Sequence, residues 1–511
     1  MSIKSPDQSG PDHGEGEVSV LYNNIGYEQT LEKNRSLLTL LFQSLAIVAI
    51  PYAYGSPLIS AIFGGGQLAM FVGWLVVLVL SECVAMSLSE LASRYPTAAG
   101  PHFWTFRLAS PSTKKLLSFV TGWTWLIGNW TITLAVNFGF ASLIAACVAL
   151  YYPHFVMDAW QLLLIFYVVC LGTFAVVAFG NHFLPYIDTI CAGFTLVSVV
   201  GILISLVVKS DAGRNSAAVT FGQYDTSLSG WNGFSFFIGL VPAAYVFSPI
   251  GMLASMTEEC ANPTITVPRA MCLCIPTGGI VGLLFILPIC ATMPALEDIL
   301  EAPVGQALPY IYGRVMGAPG GGLALTTLVL VIALFCSISI TVAASRCTWA
   351  FARDNALPLS SVWSQVNKRF GSPLNALALC TVVQMLLALI SLGSTSAFTA
   401  FVSCGVIAIA VSYAVPLALS MYHKRAEVRT AAWHLDAWGW GSWLGWTVNA
   451  ITMAWCVFQV VIFSVPIAIP VTAASMNYAI VVYVGFLVLC LVWYCVYAHK
   501  GPPKSSEITS G

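Results

Sequence analysis

The chain has 511 residues, of which 58% are apolar and 8% are charged, and its formal net charge is -1. A water-soluble domain could not keep so much apolar surface away from water, whereas a bundle of helices that faces lipid can. The near-neutral charge argues against nucleic acid as a partner, because phosphate binding requires clustered cations.

The chain begins with a polar and acidic segment, residues 1–36, which lacks the apolar core of a signal peptide. We expect this segment to be a disordered cytosolic tail. Residues 499–511 are expected to form a second cytosolic tail.

Twelve apolar stretches follow the first tail, each long enough to cross a hydrocarbon core of about 30 Å. They predict an all-α polytopic membrane protein with about 12 transmembrane helices. Its transmembrane domain is predicted to span residues 37–498 and to lie in the lipid bilayer. The predicted spans are 37–63, 67–90, 117–150, 160–180, 184–208, 233–257, 270–294, 323–345, 374–392, 397–421, 443–466 and 477–498.

The basic residues predict the orientation of these spans. Placing the N-terminus in the cytosol leaves only three of the 20 lysines and arginines outside, namely Lys209, Arg214 and Arg314. Because lysine and arginine accumulate on the cytosolic side of membrane proteins, both termini are predicted to be cytosolic. The tryptophan-rich stretch 433–446 is predicted to lie along the inner interface.

Two spans carry similar interruptions. The first contains PYAYGSP (51–57) and the sixth contains VFSPIG (246–251), and each combines Ser-Pro with an aromatic residue and a glycine. Proline removes an N–H donor and glycine permits unusual backbone angles, so an unwound segment is expected at mid-depth. A simple proline kink is the alternative for either interruption alone.

The pairing of the interruptions points to a binding site, because interrupted helices in corresponding positions mark the solute site of inverted-repeat transporters. The predicted repeats are 37–208 and 233–421, followed by two additional helices at 443–498. The half-helix ends near Leu58 and Met252 are expected to receive a carboxylate. The predicted substrate-binding residues are Tyr54, Gly55, Ser56, Pro57, Leu58, Tyr245, Phe247, Ser248 and Gly251.

Ionisable residues within or near the spans form a second candidate set, because charges in a membrane are costly. Glu82 lies deep in the second span, where it could relay a proton or could simply bond a neighbouring helix. The other residues lie near the cytosolic ends of their spans. There they could form a gate of ion pairs that rearranges during transport or a static belt of salt bridges, and both would give the same sequence. The residues assigned to proton coupling or gating are Glu82, Glu90, Asp188, Glu258, Glu259, Arg269 and Arg346.

Three motifs resemble one transporter family. They are SLSELASRYPTAAGPHFW (87–104), MTEECANPTITVPRAM (256–271) and SRCTWAFARDNALP (345–358). The chain is similar to the amino-acid/polyamine/organocation superfamily, and most of all to the fungal amino-acid/choline permeases, which include GABA and choline transporters. The resemblance covers roughly residues 25–500 and implies the five-plus-five inverted-repeat fold of the leucine transporter.

The resemblance implies a secondary active transporter without a cofactor or metal, and not an enzyme. It implies symport of a small solute, with H⁺ as the expected coupling ion, and the plasma membrane as the expected location, with the vacuole as alternative. A zwitterionic amino acid is the first expectation for the solute, and a choline, polyamine or GABA-type amine the second. A nutrient receptor on the same fold is the remaining alternative.

The chain departs from the family pattern in the sixth span. Many relatives carry an aspartate about eight residues before the acidic pair and a histidine about four residues before it. This chain has Gly251 and Ser255 at those positions. If the aspartate binds an amine group in those relatives, its absence leaves open whether GABA or choline is also a solute of this chain.

Overall fold

The computed structural model describes residues 33 and 35–496, apart from 153, 154, 156, 212, 301, 303, 304, 368, 440, 441, 473 and 474. Nearly all of the two predicted tails lies outside these residues. The described chain is helical, with only isolated β-bridges besides, of which one joins Arg35 to Cys260.

Within the described residues, twelve helical segments are long and apolar enough to cross a membrane, which confirms the predicted fold class. We number them span 1 to span 12 in chain order. They are Leu37–Gly55, Gln67–Arg94, Lys114–Tyr151, Ala159–Phe179, Asn181–Val208, Asn232–Glu259, Pro263–Thr292, Pro319–Arg353, Leu374–Gly393, Phe398–Tyr422, Ser442–Ile462 and Ala479–Val496.

Shorter helices occupy the connections. Leu58–Phe63 follows span 1, Pro101–Leu108 follows span 2, and Ala217–Gly222 precedes span 6. The remaining short elements are Leu296–Ile299, Ala307–Met316, Ser360–Trp363, Val428–Thr430 and Leu435–Trp438.

Spans 7 and 8 are longer than the sequence predicted. Span 7 begins at Pro263 instead of 270, because proline is tolerated in the first turn of a helix, where its missing N–H would have no partner. Span 8 continues to Arg353 instead of 345. The polar ends of both helices therefore extend beyond the apolar stretches that marked them in the sequence.

Spans 1 and 6 are interrupted at the predicted positions. Span 1 contains a left-handed residue at Ala49 (φ 36°), and its helix ends at Gly55, before Leu58–Phe63 begins. Span 6 changes at Ser248 from an α-helix, Val241–Phe247, to a 3₁₀ helix, Ser248–Glu259. A 3₁₀ run of twelve residues is unusually long and marks a local departure from regular helix geometry.

A buried polar network joins spans 3, 4, 8 and 9. Asn137 donates to Gln384 Oε1 at 2.8 Å and accepts a hydrogen bond from Ser337, whose hydroxyl lies 3.1 Å from that of Thr173. Because a buried polar group without a partner is costly, this network favours one arrangement of the four helices.

Candidate functional site

A cavity of about 560 Å³ lies at one end of the bundle, next to the interruption of span 1. Its volume is within the range of small-molecule sites. Its walls come from the segment that follows span 1 and from spans 3, 6, 10 and 11, and residues of 463–468 and 475–477, in the connection between spans 11 and 12, cover it. The wall residues are Ser56, Pro57, Ile59, Ser60, Phe63, Ala135, Ile238, Val241, Tyr245, Ser396, Thr399, Ala400, Val402, Ser403 and Val406.

Three of the nine predicted substrate-binding residues line this cavity, namely Ser56, Pro57 and Tyr245. Ser56 and Pro57 lie between the two helices of the first interruption, Ile50–Gly55 and Leu58–Phe63, and both line the cavity. Tyr245 lies one turn before the change of helix type in span 6.

Two predicted aromatic residues pack in the protein core. Tyr54 and Phe247 both contact Trp74 in span 2, with ring centroids 5.5 and 5.2 Å from it. Trp74 is fully buried, and its indole nitrogen donates to the Gly279 carbonyl at 3.1 Å. These contacts join both interruptions to spans 2 and 7.

The predicted glycines are also packed tightly. A Cβ at Gly55 would lie 2.5 Å from Leu308 Cδ2. Leu58 is fully buried. These residues therefore shape the interruption without lining the cavity.

Tyr413 of span 10 fills the interruption of span 6. The Gly251 N–H donates to the Tyr413 hydroxyl at 2.9 Å, and that hydroxyl donates to the Ser248 carbonyl at 3.1 Å. A Cβ at Gly251 would lie 2.5 Å from the tyrosine ring, so only glycine leaves room for this contact. The Gly251 amide, next to the Met252 position predicted to receive a carboxylate, is thus already paired with Tyr413.

The opposite end of the bundle is closed by buried ion pairs. Arg35, just before span 1, contacts Asp188 at 2.9 Å and Glu259 at 3.2 Å, and Arg346 of span 8 contacts Glu259 at 3.0 Å. Asp188 also accepts a hydrogen bond from Ser339 at 2.8 Å. We call Arg35, Asp188, Glu259 and Arg346 the central ion-pair cluster, which joins spans 1, 5, 6 and 8.

Glu258 forms a second pair next to this cluster. Both of its oxygens accept hydrogen bonds from Arg353, at 2.8 and 2.9 Å, and one also accepts from the Ala98 N–H at 3.3 Å. This bidentate geometry is the stronger form of an arginine–carboxylate contact. It ties the end of span 6 to span 8 and to the connection after span 2.

Glu90 belongs to a third group of charges. Arg425 contacts Glu90 at 2.6 Å and Asp436 at 2.9 Å, and Glu90 also accepts from the Leu435 N–H. Arg425 is fully buried, and a Cβ at Gly445 would collide with its guanidinium group. The connection between spans 10 and 11 is therefore fastened to the end of span 2.

An exposed pair lies beside this group. Arg94 contacts Glu427 at 2.9 Å, and both side chains are more than one third exposed. The hydrogen bond from Arg94 lowers the pKa of Glu427 below its ordinary value. Solvent screening leaves little net stabilisation in such a pair.

Two of the residues assigned to coupling or gating stand apart from these groups. Glu82 is half-buried in span 2, and its Oε2 has no hydrogen-bond partner among the residues that the structure describes. Arg269 is exposed near the start of span 7. Glu90, Asp188, Glu258, Glu259 and Arg346 are the five that form ion pairs.

Sequence reasoning did not assign Arg35, Arg425 or Tyr413 to the site. Arg35 was placed in the tail and Arg425 among the cytosolic basic residues. Each has a partner at least 153 residues away, namely Asp188, Glu90 and Gly251, and no local pattern shows such contacts. The signals were weak: an arginine directly before an apolar span, and a glycine at 445 inside a helix.

The fold and the site define a multi-pass integral membrane protein with a solute-sized cavity at one end and buried ion pairs at the other. The chain belongs to the amino acid permease family, which it matches over residues 37–486. This match confirms the resemblance of the three motifs.

Relatives named for different solutes align with most of this chain. It is 28% identical to the choline transporter of Saccharomyces cerevisiae over 469 residues, which cover 91% of this chain and 82% of the relative. It is 32% identical to an uncharacterised amino-acid permease of Schizosaccharomyces pombe over 479 residues, which cover 91% and 84%. It is 28% identical to the amino-acid permease BAT1 of Arabidopsis thaliana over 499 residues, which cover 93% of each chain. The protein is therefore a secondary transporter and not an enzyme.

Proposed function

We propose that the protein transports a small amino acid or a monovalent amine by alternating access, as a proton symporter. The observation that carries this proposal is the asymmetry of the bundle. A solute-sized cavity lies beside the interruptions at one end, while buried ion pairs join the helices at the other. A transporter that exposes its site to one side at a time needs this combination.

The cavity supports a solute without large net charge. None of the described residues that line it is charged, whereas hydroxyl groups of Ser56, Ser60, Thr399 and Ser403 are present. A polycation would lose its hydration there without a carboxylate to replace it. We therefore favour a zwitterion over a polyamine.

Choline or a similar amine is the second candidate. Phe63, Tyr245 and Phe463 line the cavity, and an aromatic face attracts a desolvated ammonium group by about 0.5–2 kcal/mol. The relative named as a choline transporter supports this candidate, and the two named as amino-acid permeases support the first.

The central ion-pair cluster is proposed to be a gate. Asp188, Glu259 and both arginines are nearly inaccessible to solvent, and burying charges is expensive even when they are paired. A set of pairs that can exchange partners gives two discrete arrangements, which a switch requires. A static belt of salt bridges is the alternative, and the rate at which a thiol reagent modifies Cys260 separates the two.

A proton is the proposed coupling ion. Glu82 offers a carboxyl oxygen without a partner, so it can bind a proton within the membrane. The hydroxyls of Ser337 and Ser339 are engaged by Asn137 and Asp188, and the group that contacts the Ile47 carbonyl of span 1 is the Cys336 thiol. Hard cations prefer oxygen ligands, so a thiol next to the Ile47 carbonyl favours a proton over sodium.

The remaining assignments follow the family. We propose two five-helix repeats, 37–208 and 233–421, with two additional helices at 443–498. We also propose that both termini are cytosolic, so that the ion pairs lie on the cytosolic side and the cavity on the outer side. The plasma membrane is the proposed location, with the vacuolar membrane as alternative.

Uptake into proteoliposomes tests the proposal. The purified chain is given labelled L-alanine, L-leucine, GABA, choline or spermidine, with and without an inward proton gradient and with sodium added separately. Accumulation of an amino acid or choline that stops when a protonophore is added supports the proposal.

Two results would contradict it. Binding of a solute without accumulation would identify a receptor. Accumulation driven by sodium and unaffected by the protonophore would replace the coupling ion. Ser56→Leu narrows the cavity and should reduce uptake at least tenfold, whereas Leu164→Ala on an exposed face of span 4 should leave it unchanged.

A further inference from the structure

The cavity is covered by a segment that lies outside the ten helices of the two proposed repeats. This roof segment is residues 463–477, described apart from 473 and 474, between spans 11 and 12. Its residues line the same cavity as Ser56 and Ser60 of the segment that follows span 1.

Hydrogen bonds hold the roof segment in place at both ends. Asn477 donates to the Phe463 carbonyl at 2.7 Å and to the Val465 carbonyl at 3.3 Å, which ties the end of the segment to its beginning. Its side-chain oxygen accepts from the Ala479 N–H at 3.1 Å. The Asn477 amide is therefore occupied in fixing the roof.

Further bonds join the roof to the connection before span 6. The Trp231 indole donates to the Pro466 carbonyl at 3.1 Å, and the Ile469 N–H donates to the Ser229 carbonyl at 2.9 Å. The roof is therefore fixed to the connection that leads into span 6. Span 6 in turn supplies Tyr245 to the cavity.

The two sides of the cavity differ in chemistry. The wall of spans 1 and 10 supplies hydroxyl groups, whereas the roof supplies mainly apolar side chains, among them Phe463, Ile467 and Met476. A solute with a polar head and an apolar tail would place its head at the hydroxyls and its tail at the roof. Each additional methylene that the roof admits or excludes changes affinity by roughly 10- to 200-fold.

We propose that the roof segment selects the solute by the size of its apolar part. This inference rests on the proposed function, because it takes the cavity as the solute site. Ile467 and Met476 are the residues that set the limit, and larger side chains there restrict the cavity to smaller solutes.

A size series of solutes tests this inference. Uptake of labelled glycine, L-alanine, L-valine, L-leucine and L-phenylalanine, and of choline and its N-butyl analogue, is compared between the wild type, Ile467→Ala and Ile467→Trp. The measured quantity is the ratio of uptake of the larger solute to that of the smaller one, either L-phenylalanine to L-alanine or the N-butyl choline analogue to choline. Ile467→Ala should raise this ratio at least tenfold, and Ile467→Trp should lower it. Met476→Ala provides a second variant, with the same direction as Ile467→Ala.

Ile469→Ala is the matched control. Ile469 belongs to the same segment and is similarly exposed, but it does not line the cavity, so its truncation should leave the size preference unchanged. An unchanged preference in Ile467→Ala, Ile467→Trp and Met476→Ala, with uptake retained, would overturn the inference and leave the proposed function standing. A wild type that accumulates no member of either series would contradict the proposed function itself.

Discussion

At the scale of single residues, the Tyr413 hydroxyl has a function that its position in the middle of an apolar span conceals. It bonds both the Gly251 N–H and the Ser248 carbonyl, two backbone groups at the change of helix type in span 6. Lipid offers no replacement for such partners. Tyr413 therefore stabilises the interruption in the conformation seen here.

Tyr413→Phe should destabilise this conformation. The change removes both hydrogen bonds of the hydroxyl, each of which contributes about 0.5–1.5 kcal/mol. We expect a lower apparent melting temperature in detergent and a changed KM for uptake. Tyr483→Phe, a buried tyrosine of span 12, is the control, and an equal effect of both variants would contradict a special function of Tyr413.

Gly251→Ala tests the same contact from the other side. The added Cβ would lie 2.5 Å from the tyrosine ring, and overpacking of this kind costs about 1–3 kcal/mol. We expect a lower melting temperature and reduced uptake per folded molecule. Gly201→Ala in span 5 meets no atom within 4 Å and should leave both measurements unchanged. Normal behaviour of Gly251→Ala would show that Tyr413 can move aside freely.

At the scale of elements, the connection between spans 10 and 11 is held by Arg425. Removing one partner of a buried ion pair costs about 3–5 kcal/mol, because the other charge stays buried, whereas an exposed pair contributes about 0–1 kcal/mol. Arg425→Gln should therefore lower the melting temperature strongly. Arg94→Gln, in the exposed pair beside it, should change it little.

Limited proteolysis locates the effect of Arg425→Gln. We expect faster cleavage within residues 423–442 in this variant, because Glu90 and Asp436 lose the group that joins them. Equal cleavage of Arg425→Gln and Arg94→Gln would show that the connection is held by other contacts.

Elements were easier to predict than their contacts. The twelve spans and both interruptions follow from local chemistry, because lipid requires apolar helices and proline disturbs a helix wherever it stands. The cavity walls were predicted only in part. Ser56 and Tyr245 lie at the interruptions, but the roof and Tyr413 reach the site through folding, and Gly251 and Tyr413 are 162 residues apart.

At the scale of the whole molecule, the two ends of the bundle are in different states. The central ion-pair cluster joins spans 1, 5, 6 and 8 at one end, and the cavity separates spans 1, 6 and 10 at the other. Since the same spans 1 and 6 reach both ends, opening the ion pairs and closing the cavity would be linked movements. A static belt would instead keep the first end closed throughout.

Cys260 reports which description is right. It follows Glu259 directly, is fully buried, and burial raises the pKa of its thiol above the ordinary value, so it should react slowly while the cluster is closed. Arg35→Gln removes two contacts of the cluster. If the cluster is a gate, this variant should modify Cys260 with a small membrane-permeant thiol reagent at least tenfold faster, which corresponds to about 1.4 kcal/mol.

Peptide-resolved mass spectrometry gives the rate for Cys260 separately from the exposed Cys495, which serves as the internal reference. Arg94→Gln is the matched control, because it also removes an arginine from an ion pair but outside the cluster. Addition of a transported solute should change the rate for Cys260 and leave that for Cys495 constant, since only the former depends on the state of the gate. A Cys260 rate that is the same in the wild type, Arg35→Gln and Arg94→Gln, with or without solute, would favour the static belt, because the end of span 6 would then stay closed whatever the state of the ion pairs.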